Sequence, residues 1–203
     1  AVGAKYKGKA TGSFGDTGCF SLHPLKNLHV YGDGGVITTN NSEIYAKLIW
    51  LRNHGLSNRD ECELWAYNSR LDTIQAAIAN IALEHIVLWN SRRREIASTY
   101  RKNLEHLVAA PVESDYEEQV YQTYMIQHEQ RDNLQKYLSK AGIETKIHYP
   151  IPIHLQPAAK KLGYKKGDFP ITERLAKTIL SLPIYPELTK NQVKFIIQTI
   201  KNF

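Results

Sequence analysis

The sequence predicts an α/β protein in two parts, on three observations. Short runs rich in β-branched and aromatic residues alternate with segments whose apolar residues recur every three or four positions. One such segment, over 72–107, is long enough to lead from a first part of the chain into a second. After Pro111 the alternation of strand-like and helix-like segments starts afresh.

From the N-terminus, the runs 18–22 and 35–39 read as short strands, separated by a stretch containing Pro24 and the glycine-rich GDGG. A helix starts near Asn41 or Ser42, a polar cap before the apolar stripe Ile44, Leu48 and Leu51, and Gly55 is placed to end it. The polar segment after Leu56, SNRDECE, reads as a surface loop of a length suited to a projecting arm. From Asp72, the residues Ile74, Ile78, Ile81, His85 and Leu88 share one helical face, continued by Ile96, Tyr100, Leu104 and Leu107. The SRRRE stretch at 91–95 fits the charged outer face of that helix better than a nucleic-acid patch.

The second part reads as strand over 120–127, helix over 131–140, a stop at Gly142 and strand over 144–148. IHYPIPIHLQP, with three prolines and two histidines, cannot sustain a helix and reads as an irregular loop. A helix follows over 172–182, stopped by Pro183. A last one opens at Thr189, with Gln192 placed for a capping box. Leu175, Ile179, Val193, Ile196, Ile197 and Ile200 are core candidates.

Composition narrows the functional classes. With 42% hydrophobic and 23% charged residues the chain has material for a core. No stretch approaches the length of a membrane span, so a cytoplasmic protein without membrane contact is expected. The formal charge of +6 is compatible with nucleic acid, but the lysines are spread along the chain outside any recognised nucleic-acid motif, and the charge equally suits phosphorylated ligands. Cys19 and Cys62 have neither a nearby cysteine nor histidines at ligand spacing, so no metal site is expected and buried free thiols are the reading.

The chemistry centres on GDTGCFSLHPLKNLHVYGDGG, where Lys26 stands between a strand-like run and the glycine turn. A primary amine on a long stem forms an imine with a carbonyl, and enzymes using pyridoxal 5'-phosphate (PLP) exploit such a lysine. Ser21, five residues earlier, can donate to a phosphate oxygen.

SFGDTGCFSLHPLKNL, YGDGGVITTN, LRNHG, YNSRLDTIQAAIA and IHYPIPIHLQP resemble, in order and spacing, successive blocks of the DegT/DnrJ/EryC1/StrS sugar aminotransferases. The resemblance implies the aspartate aminotransferase type I fold, here the C-terminal part of the large PLP-binding domain (1–85) followed by a linker helix and small α/β domain (86–203). It assigns Lys26 as the Schiff-base and proton-transfer residue, Ser21 as a phosphate ligand and Asn68 as a phosphate ligand reaching across a homodimer with shared active sites. It implies amino transfer from an amino acid, by family habit glutamate, to a nucleotide-linked keto sugar, in amino-sugar, surface polysaccharide or secondary-metabolite biosynthesis.

Substrate-facing candidates are His23, Arg70, His148, Tyr149 and His154. For His23 and His54 a bond to local backbone is the competing explanation, for Arg70 an ion pair with Asp72, and for the loop histidines simple local packing. Two further readings stand beside transamination. Family dehydratases carry histidine where this chain has Lys26, which argues against elimination; a noncatalytic or regulatory relative would retain the same ligands. The chain reads as a C-terminal portion without the upstream aspartate that pairs with the pyridinium nitrogen, so these residues alone are expected to lack transaminase activity.

Overall fold

In the computed structural model, which describes residues 1–203, the antiparallel strands β3 (Gly18–Ser21) and β4 (Gly35–Thr38) are joined by the long connection 22–34 that carries Lys26. They follow two short strands, β1 (Lys5–Tyr6) and β2 (Lys9–Ala10). Beyond β4 come helix α1 (Ser42–Leu51) and the long helix α2 (Thr73–Leu104). The chain divides into two units, Ala1–Ser91 with Glu113–Val120, and Arg92–Val112 with Tyr121–Phe203, and the division falls within α2.

In the first unit, Leu22, Leu28 and Val30 of the β3–β4 connection pack with Ala82 and Ile86 of α2. Gly34 fits this packing because its backbone lies against side chains: a Cβ there would come within 2.9 Å of Leu71 Cδ1 and 3.1 Å of Val30 Cγ2. The strand β5 (Glu117–Glu118) pairs antiparallel with β1, completing a small sheet in the order β2-β1-β5. Asn41 caps α1, its side-chain oxygen accepting from the backbone N–H of Glu43 and Ile44.

Over the first half of α2 the face chosen from periodicity is not the buried one, although its continuation through Ile96, Tyr100 and Leu104 is buried. Ile74, Ile81 and Leu88 are 68%, 61% and 68% exposed, whereas Ala82, Ile86 and Asn90 are buried, with Ala79 and Trp89 partly so. Apolar residues occupy two neighbouring stripes of this helix, and the stripe containing alanines admits the β3–β4 connection closely.

The second unit is built on the later turns of α2, with Ile96, Tyr100 and Leu104 in its core. The same core takes residues of β6 (Tyr124–Gln127), α3 (Arg131–Lys140), β7 (Ile179–Leu182) and α5 (Lys190–Lys201), while α4 (Pro170–Thr178) leads directly into β7. The strand expected over 120–127 begins only at Tyr124, after Tyr121 adopts φ +44°, which breaks the extended run. The helix expected over 172–182 ends at Thr178. Ile179–Leu182 is a strand instead, pairing antiparallel with β6 from Tyr124↔Leu182 to Gln127↔Ile179. A short apolar run fits either period, and here the unpaired edge of β6 decides.

The 144–148 segment forms only a single bridge, Lys146 to Ser181, rather than a strand. The proline-rich stretch is largely irregular but contains 3-10 turns at Ile153–Leu155 and Pro157–Leu162. Arg93 departs from the expected charged outer face: it is buried, and its Nη1 donates to the carbonyls of Tyr121 (3.2 Å) and Ile184 (2.6 Å). Burial lowers its pKa, and the charge of Glu187 opposes that shift. Leu175 and Ile179 are only partly buried, while Val193, Ile196, Ile197 and Ile200 of α5 are fully in the core. Cys19 and Cys62 are free but exposed, contrary to the buried thiols expected: β3 presents Cys19 outward, and Cys62 lies in the surface loop. No helix is long and apolar enough to cross a membrane.

Candidate active site

Ser21 ends β3, and the chain turns at once through His23, Pro24 and Leu25 to Lys26. The turn is closed by the Lys26 N–H donating to the His23 carbonyl at 2.8 Å, with proline at the position where its fixed φ favours a turn. Two further bonds stiffen it: His23 N–H donates to Ser21 Oγ (3.3 Å) and Leu25 N–H donates to His23 Nδ1 (3.1 Å). Because Nδ1 accepts, the ring proton of a neutral His23 is on Nε2. Ser21 accepts through its oxygen and keeps its own proton to donate.

Ser21 and His23 are exposed and Lys26 is half-buried. An amine and a free hydroxyl on one short turn form a donor set suited to a ligand bearing both an aldehyde and a phosphate.

Asn27, which the sequence reading passed over, anchors this turn. It is buried, and its Nδ2 donates to Asn90 Oδ1 and to the Val120 carbonyl, both at 2.8 Å, while Asn90 Nδ2 donates to the Val2 carbonyl at 2.9 Å. An amide directly after the lysine, among apolar residues, was the available signal. Gln75 of α2 performs a similar task for the glycine turn, accepting from the Tyr31 N–H (2.9 Å) and donating to its carbonyl (3.1 Å).

Asn68 lies elsewhere in the first unit, where the arm returns to its base. Asn53 and Asn68 form an isolated antiparallel bridge, flanked by Tyr67 N–H to the Leu51 carbonyl (3.2 Å) and Ser69 N–H to the Arg52 carbonyl (2.9 Å). The arm closes on itself at Gly55, with φ +74°, where a Cβ would stand 1.7 Å from the Leu64 carbonyl oxygen, so only glycine fits. His54 beside it has φ +58°, and its backbone groups are engaged locally, N–H to the Tyr67 carbonyl and C=O accepting from Cys62 Sγ. Arg70 does not reach for Asp72: its Nε donates to Asn68 Oδ1 (3.1 Å) and its Nη1 to Asn53 Oδ1 (3.2 Å).

In the second unit, the three residues of the proline-rich loop are not equivalent. Tyr149 is 77% exposed, and His148 bonds through Nδ1 to Ser181 Oγ at 2.9 Å. His154 is buried, its Nε2 is 3.1 Å from Glu173 Oε1, and its ring packs against Phe169. Glu173, also missed from sequence, accepts in addition from the Gly167 N–H at 2.7 Å.

Comparison with known proteins gives this geometry its context. The model of the DegT/DnrJ/EryC1/StrS aminotransferase family matches residues 1–201. A pleiotropic regulatory protein of Geobacillus stearothermophilus is 42% identical over 100% of this chain and 56% of its own length. A dTDP-3-amino-3,4,6-trideoxy-alpha-D-glucose transaminase of Streptomyces venezuelae is 37% identical over 100% of this chain and 54% of its own length. Among solved structures, S. venezuelae DesV in complex with a ketimine intermediate superposes with a TM-score of 0.95 and 37% identity, covering 98% of this chain and 54% of that one. The chain thus spans about half the length of the relatives it matches.

Proposed function

This chain belongs to the DegT/DnrJ/EryC1/StrS aminotransferase family, and from that premise we propose that the protein moves an amino group from an amino acid, glutamate first among candidates, to a keto sugar carried on a nucleoside diphosphate. The cofactor is PLP, the working assembly a homodimer with shared sites, and the compartment the cytoplasm. The supporting observation is the hydrogen-bonded turn that carries both Ser21 and the half-buried Lys26, each bonded to His23 between them.

When bound, PLP supplies an aldehyde for imine exchange and a ring that takes up an electron pair. With the cofactor bound, Lys26 Nζ would hold it and would carry the proton between the donor's α-carbon and C4′ of the cofactor. Ser21 Oγ–H donates to the phosphate, and Asn68 Nδ2 donates to the phosphate of the opposite protomer's site. A lysine at this position favours amine release over elimination, because a tethered amine can displace the aminated product. Tyr149 and His148 are the residues of the proline-rich loop left to meet the sugar nucleotide. His154, held by Glu173, braces that loop.

The test is borohydride reduction of the PLP-loaded full-length protein followed by peptide mapping. The label is expected on the peptide containing Lys26 and absent from a Lys26→Ala variant; a label elsewhere overturns the assignment. A noncatalytic, regulatory role is the second reading, favoured by the description of the Geobacillus relative. Adding glutamate to the loaded protein separates the two: a change in cofactor absorbance marks an enzyme, and an unchanged spectrum with every amino donor marks a binding protein.

A further inference from the structure

We propose that Arg70 is a positioning residue that turns the Asn68 amide so that its N–H2 faces outward as a phosphate donor. This inference rests on the reading that Asn68 reaches the cofactor phosphate.

A primary amide carries an acceptor and a donor of nearly equal size on one freely rotating bond, and only one of its two orientations is useful to an anion. With Oδ1 outward, Asn68 would present a partial negative charge to a phosphate. The structure removes that choice. Arg70 Nε donates to Asn68 Oδ1 at 3.1 Å, which commits the oxygen to the guanidinium and leaves Nδ2 with both protons free for a ligand.

Arg70 is itself fixed, because Nη1 donates to Asn53 Oδ1 at 3.2 Å, and Asn53 is the bridge partner of Asn68 across the base of the arm. One planar fork therefore spans the two amide oxygens of a single bridged residue pair. That geometry needs a guanidinium, since an ammonium is a point donor without a fixed angle between its bonds. Arg70 would accordingly act through Asn68, and its contribution to PLP binding would disappear when Asn68 is absent.

The experiment is a double-mutant cycle on PLP dissociation constants, measured by absorbance titration of the full-length apoprotein. Asn68→Ala removes a bond to a charged group and should weaken binding by about tenfold to a hundredfold. Arg70→Ala leaves the amide free to turn, so affinity falls with the fraction of time it is correctly oriented, about threefold to tenfold. The double variant should bind PLP no more weakly than Asn68→Ala alone. Arg70→Lys keeps the charge but not the fork, and should lie between wild type and Arg70→Ala; it stands in should Arg70→Ala fold poorly.

Effects that add in the double variant would mean that Arg70 touches the phosphate directly and would overturn the proposal. So would a rise in the KM for glutamate or nucleotide sugar at saturating PLP with PLP affinity unchanged, which would make Arg70 a substrate ligand. If Asn68→Ala itself leaves PLP affinity unchanged, the cofactor reading of Asn68 is what fails, and the role of Arg70 falls with it.

Discussion

Glu173 gathers three parts of the second unit onto one carboxylate. Its Oε1 accepts from the Gly167 N–H and pairs with His154 Nε2, and its side chain is 12% exposed. The Gly167 bond first, and the His154 bond second, hold its pKa below the ordinary value. The folded state therefore takes up this proton less readily than the unfolded chain does. The stabilisation is fully present above the usual glutamate pKa of about 4.3 and is lost as pH falls through the lower, folded value. Glu173→Gln should flatten the acid limb of a plot of unfolding free energy against pH in that window; a limb of unchanged steepness would show that the carboxylate carries no such linkage. Neither half of this pair was legible as a pair. His154 stands in a run of prolines that points to a loop, and its partner lies 19 residues on, a distance no local pattern encodes. The segment from Ser21 to Lys26 is the opposite case, a turn whose bonds close within six residues, 21–26.

At the scale of elements, what could be read is what is locally determined. Helix α5 was placed by Thr189 and Gln192, and both halves of the capping box form: Gln192 N–H donates to Thr189 Oγ1 at 3.2 Å and Thr189 N–H to Gln192 Oε1 at 2.9 Å. Thr189→Ala leaves a helix-end donor without its partner and should cost about 1 kcal/mol, read as a shift of the urea midpoint with unchanged slope. A shift within error of zero would mean that water replaces the cap without loss. Strand β7 failed the same kind of reading because nothing inside ILSL distinguishes it from a fourth helical turn. Its identity comes from β6, more than fifty residues earlier in the chain. The buried face of the first half of α2 was misjudged for a related reason: periodicity pointed to Ile74, Ile81 and Leu88, whereas the β3–β4 connection packs on Ala79, Ala82 and Ile86.

For the whole molecule, the proposed sharing of sites makes a demand that a site built from one chain does not. Lys26 and Asn68 sit on separately braced segments, the first tied down through Asn27 and the second through Arg70, so each can be lost without dismantling the other. Suppose Lys26→Ala and Asn68→Asp proteins are mixed and allowed to exchange subunits, then assayed at limiting PLP. If Asn68 serves the opposite protomer, each heterodimer contains one site in which both residues are native and one in which both are altered. Random exchange makes half the dimers mixed, so about a quarter of the wild-type sites should return, although neither parent is active under those conditions. If instead both residues serve their own chain's site, every site in the heterodimer carries one defect and mixing restores nothing. The borohydride label provides an independent count, because only sites with native Lys26 can retain it, and those with native Asn68 should fill first as PLP is added.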